Sequence, residues 1–128
     1  METTELEAQV YDALINNAEL MGMLPSGGDV PIYHLFAPAG DIQRYPILVY
    51  LPISDVPADY GDDEETFHRV TIRISIVTSD GQYSELNKVI REIMTQHLEF
   101  VRVNTTPAID FEYKKIILNA EYQKVIPA

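Results

Sequence analysis

The chain has 128 residues, of which 46% are hydrophobic and 23% charged, a balance that supports one buried core and argues against compositional disorder. Twenty acidic residues against nine basic ones give a formal charge of −11, which repels phosphate backbones and speaks against nucleic acid as a partner. There is no cysteine, so disulfides, thiolate metal sites and cysteine nucleophiles are excluded together.

The start, Met1-Glu2-Thr3-Thr4-Glu5, lacks the basic flank and apolar run of a signal peptide, and no later segment is apolar for long enough to span a bilayer. Residence in the cytoplasm and no membrane partner are therefore expected. Thr4 and Glu7 stand at capping-box spacing ahead of Leu6, Val10, Leu14 and Ala18, with Ala13 and Met21 alongside, which predicts an amphipathic helix of about five turns. Its end is expected at Gly22 or shortly after, where Pro25-Ser26-Gly27-Gly28-Asp29 forces a reversal.

A short β-type run, Ile32 to Phe36, closes at Ala37-Pro38-Ala39-Gly40 and is followed by Tyr45-Pro46-Ile47-Leu48-Val49-Tyr50-Leu51. The second run is apolar on both faces, so it either lies under cover in the sheet or presents its outer face to something other than water. From Asp55 to Glu65 six of eleven residues are acidic and none is basic, and with Pro57 and Gly61 among them the segment reads as a loop. Val70, Ile72, Ile74 and Ile76 then alternate with Arg69, Thr71, Arg73 and Ser75, a strand with one core face and one polar face.

Ser79, with Gln82 three residues on, reads as the cap of a second helix carrying Leu86, Val89, Ile90, Ile93 and His97. A run from Phe100 to Val103, a break at Thr105-Thr106-Pro107, and two β-like stretches, Ile109 to Tyr113 and Ile116 to Val125, complete the chain. The glycosylation-type triplet Asn104-Thr105-Thr106 reads as a turn. The expected fold is a single α+β domain over residues 1–128, in the order α-β-β-β-α-β-β, with a largely antiparallel sheet of four to six strands and two main helices on one face.

Chemistry is hard to find. The acids at 55–65 lack the alternating oxygens of an EF-hand loop, and a metal-dependent hydrolase using them is the weakest of the functional classes. His34, His68 and His97 fall on three elements at no ligand spacing, and neither a nucleophile elbow nor a phosphate-binding glycine loop is present. No catalytic residue, metal or cofactor is expected, and the chain is not expected to be an enzyme. Eight tyrosines and no tryptophan, several of the tyrosines on or beside predicted strands, favour a contact surface as a set, although each singly fits a half-buried sheet position. The predicted interface comprises Tyr45, Ile47, Val49, Tyr50 and Leu51 on the two-faced strand, with Asp55, Asp59, Asp62, Asp63, Glu64 and Glu65 on the acidic segment.

The succession Tyr11-Asp12-Ala13-Leu14 running to Leu24, Ile32-Tyr33, Ala37-Pro38-Ala39-Gly40 and Tyr45-Pro46-Ile47-Leu48-Val49-Tyr50 resembles the tail-completion, or head-to-tail joining, proteins of long-tailed bacteriophages and prophages. The likeness runs over nearly the whole chain and departs from the pattern at the acidic segment. It implies a non-enzymatic subunit, monomeric or weakly associated until it meets its template, that joins a homo-oligomeric ring, commonly six-fold, linking the tail tube to the connector. Its expected partners are other tail and connector proteins, and its expected places are the bacterial cytoplasm during assembly and the virion tail. The rival class is a small α+β ligand-binding or regulatory module, which a deep apolar pocket with converging polar groups would favour.

Overall fold

The computed structural model describes residues 1–37, 44–61 and 64–128. The elements are helix α1 (Thr3–Ile15), helix α2 (Ala18–Met23), strands β1 (Ile32–His34), β2 (Ile47–Gly61) and β3 (Glu64–Thr78), helix α3 (Ser84–Glu92), a π-helical turn (Ile93–His97), and strands β4 (Val101–Asp110) and β5 (Lys115–Pro127). The five strands make one sheet in the order β1-β2-β3-β5-β4, antiparallel throughout except that β1 runs parallel to β2. The expected α+β class and mainly antiparallel sheet are what the chain adopts.

The sheet's register explains the core. Leu48, Ile76 and Leu118 stand abreast, as do Tyr50, Ile74 and Ala120, and Ile72 faces Tyr122. Because side chains alternate across a strand, these rows share one face. They form one hydrophobic cluster with Leu6, Val10 and Leu14 of α1, Leu20 of α2, and Leu86, Val89 and Ile90 of α3. The helices do not make a clean layer: α1 touches β2 and the π turn, whereas α2 touches α3. On the opposite face the central rows are polar, with Arg73 Nη2 donating to Glu121 at 3.2 Å and Ser75 Oγ to Asn119 at 2.6 Å.

Several local expectations are corrected. The single five-turn helix is two helices, because Asn17 leaves helical geometry and its side-chain oxygen accepts from the Leu20 N–H at 2.8 Å, starting α2 afresh. Thr4 is not the cap of α1, which begins one residue earlier, and the Glu5 and Leu6 N–H groups donate to the Glu2 carbonyl. Ser79 is not the cap of α3, which starts at Ser84. Instead, the Gly81 N–H donates to Thr78 Oγ1 at 2.9 Å and the Gln82 N–H to Asp80 Oδ1 at 3.0 Å, forming a turn around Gly81 at φ +79°.

The largest correction is the acidic loop. Residues 55–61 belong to β2 and residues 64–65 to β3, so the segment is the outer part of a long hairpin. Its prolines are tolerated because pairing shifts register between Pro52 and Ser54 and again between Pro57 and Asp59. Pairing of β1 also stops at Tyr50, so beyond that point the other edge of β2 has no strand partner among the described residues.

Likewise Asn104 to Pro107 is neither turn nor break. It lies within β4, the outermost strand, where a proline removes no inner ladder bond. The stretch Ile109 to Tyr113 is the end of that strand and a turn into β5.

Candidate interface

The structure divides the predicted interface residues into three groups. Ile47 at 2% exposure, Val49 at 9% and Tyr50 at 7% are buried within the protomer. Of the two explanations for an apolar two-faced strand, cover inside the chain is therefore the one realised for these residues. Tyr50 is a core residue whose ring stacks on His34 at 5.0 Å between centroids and lies 5.9 Å from Tyr11. Burial, with Tyr11, Glu7 and Asp12 nearby, raises its phenol above the ordinary value. Tyr45 and Leu51 remain half-buried, and Tyr45 carries Lys115 Nζ 4.3 Å from its ring centroid.

Asp55 forms the second group by itself, because it is engaged internally. It accepts from Thr3 Oγ1 and lies 2.6 Å from His68 Nδ1, while His68 Nε2 lies 3.0 Å from the Met1 carbonyl. A carbonyl oxygen and an ionised carboxylate only accept, so these two bonds fit an imidazolium with both ring nitrogens protonated. The Thr3 hydroxyl and then His68 hold the Asp55 carboxyl below the usual carboxylate range, against the opposing effect of desolvation. With the Met1 amine donating to the Pro127 carbonyl at 2.8 Å, these groups fasten the first residues of the chain to the hairpin and to β5. The arrangement is a structural clamp: the threonine hydroxyl donates to the carboxylate, whereas in a nucleophilic triad it would donate to the imidazole that acts as its base.

The third group is the end of the hairpin. Asp59 lies on β2 and Glu64, which is exposed, opens β3. Glu65 is a strand residue by its backbone, and Asp62 and Asp63 lie outside the described residues, as do Pro38, Ala39 and Gly40 of the Ala-Pro-Ala-Gly run.

The histidines do not converge. His34 pairs with Glu7 at 3.1 Å, His68 belongs to the clamp, and His97 ends the π turn. Among the described residues no group of three metal-ligating side chains comes together, and no helix is long and apolar enough to cross a membrane.

Sequence reasoning missed the apolar surface along the sheet's other edge. Val101 and Ile109 on β4 are 65% and 58% exposed, and Phe111, in the turn that follows, is 84% exposed. Ten residues of edge strand here offer backbone groups as well as apolar side chains. The usable signal was Phe111 and Tyr113 set among Asp110, Glu112, Lys114 and Lys115, a pattern more typical of a surface turn than of a core strand.

The fold and these surfaces define a small α+β protein whose conspicuous features are edges, a projecting hairpin and exposed apolar side chains. The chain matches no protein-family model and no curated protein in sequence.

Proposed function

We propose that the chain is a structural subunit of a long-tailed phage or prophage, a tail-completion or head-to-tail joining protein that assembles as a ring between tail tube and connector. The observation carrying this reading is the presence of two open edges on opposite sides of one sheet: β2 beyond Tyr50, leading to the acidic hairpin end, and β4 with its exposed Val101 and Ile109. Unlike surfaces on the two flanks of a protomer suit head-to-tail association, which closes into a ring when the rotation between neighbours permits. The order of elements agrees with the resemblance in the amino-acid sequence, and the net charge of −11 suits a channel through which DNA must slide without adhering.

The deciding experiment is electron microscopy of particles made without the protein. Filled heads and unattached tails are the expected result, restored to joined virions by the gene in trans. Normal joined virions in its absence would exclude the role.

A further inference from the structure

Nine basic residues among twenty acidic ones make an uncompensated pair of cations uncommon in this chain. One such pair lines an open cavity of about 740 Å³ at the base of the β2–β3 hairpin, where Tyr45 leads into β2, Ser79 follows β3 and Lys115 begins β5. Arg44 and Lys115 are the charged residues of that lining. The Arg44 guanidinium lies beside Gly28, near enough that a β-carbon there would sit 3.4 Å from Nη1, and Lys115 leans over the Tyr45 ring. Neither cation has a carboxylate within ion-pair distance among the described residues. The acids nearest in the fold, Asp80 and Glu85, line a separate depression of about 190 Å³.

At the other end of the same hairpin the charge is reversed. Residues 55–65 hold six acids and no base, and Glu64 stands exposed there. With fifteen residues in each strand, the two ends are separated by about 45 Å at the usual rise per residue, so no chain can bring its own hairpin end to its own cavity.

We propose that the cavity lined by Arg44 and Lys115 receives the acidic hairpin end of a second copy of this chain, forming a head-to-tail contact. The proposal rests on the ring-forming role above and supplies the surfaces by which neighbours recognise each other. Charge complementarity of this kind fixes orientation and speeds encounter more than it adds affinity, which makes the contact salt-sensitive and leaves the free protein weakly associated.

The test is sedimentation velocity of the full chain at millimolar concentration and low salt, combined with zero-length carbodiimide cross-linking of a mixture of isotopically light and heavy protein. Wild type is expected to self-associate, to weaken about tenfold or more on raising salt to physiological strength, and to give mixed-isotope cross-links between Lys115 and the 55–65 peptide. The double variant R44E/K115E is expected to lose the association while keeping its melting temperature, and R44K/K115R to retain it. Self-association unchanged in R44E/K115E, or cross-links that join other surfaces, would overturn the docking and leave the ring-forming role standing. Wild type that stays monomeric under these conditions also overturns it. Failure of the role itself is read separately, from joined virions in particles lacking the protein.

Discussion

Tyr122 lies at the middle of the sheet, opposite Ile72 of β3 and Arg102 of β4, with no solvent exposure, and its hydroxyl has no hydrogen-bond partner among the described residues. A buried hydroxyl left unpaired costs about 1–3 kcal/mol of desolvation. Tyr122→Phe removes that oxygen and keeps the ring that packs the cluster, so the variant should be more stable than wild type by about 1 kcal/mol, or about 3–5 °C in melting temperature for a domain of this size.

A second readout follows from ionisation of the same group. Burial raises the phenol to about 12, with Arg102 and Arg91 opposing the rise. The proton is held more tightly in the folded state than in the unfolded one, so the contribution is fully present below about pH 10 and is lost as pH climbs toward 12. A rise from the ordinary 10.0 to about 12 corresponds to about 3 kcal/mol, and Tyr122→Phe should flatten the alkaline fall by an amount of that order. Urea unfolding at neutral pH and at a series of alkaline values measures both effects. A Phe variant less stable than wild type by about 1 kcal/mol or more would show that the hydroxyl has a bonding partner, and the account of an orphaned oxygen would fail.

Three further outcomes are expected. Asp55→Asn should loosen the N-terminal clamp, lowering stability by about 1–2 kcal/mol and raising amide exchange in the first turn of α1. Because the Asp55 carboxyl is held below its ordinary value, wild type should lose this increment as pH falls below about 4, and the variant should lack that step; identical acid-unfolding curves would refute the clamp. Gly81→Ala places a β-carbon 3.2 Å from Ile116 Cδ1 at a positive φ, so a loss of about 1–2 kcal/mol is expected in thermal melts, whereas Gly22→Ala, which meets nothing within 4 Å among the described residues, should be neutral or stabilising. Purified protein should not retard duplex DNA in a gel shift at physiological salt, and salt-dependent retention would remove the non-adhesive channel from the proposed role.

The candidate surface was legible in part. Six acids within eleven residues marked a charged segment correctly, but their composition concealed a strand, because the backbone bonds that order it come from a partner more than ten residues away in some pairs. Arg44 and Lys115 are 71 positions apart by subtraction of their numbers, and no local pattern could place them on one cavity. The clamp similarly joins Met1, Thr3, Asp55 and His68, residues whose individual patterns announced only a helix start, a loop and a strand.

The amino-acid sequence by itself determined the α+β class and which side chains build the core. Period-two alternation from Val70 to Ile76 and helical spacing from Leu86 to Ile93 depend only on each element's own geometry, and all of those apolar positions are buried. Tertiary structure alone decided that Tyr50 is interior, that residues 55–61 extend as strand, that Pro107 lies on an outer strand, and that β1 runs parallel to β2. Each of these depends on which strand lies alongside and which edge is left open. Local propensity does not contain that information, because it arises when distant segments pair.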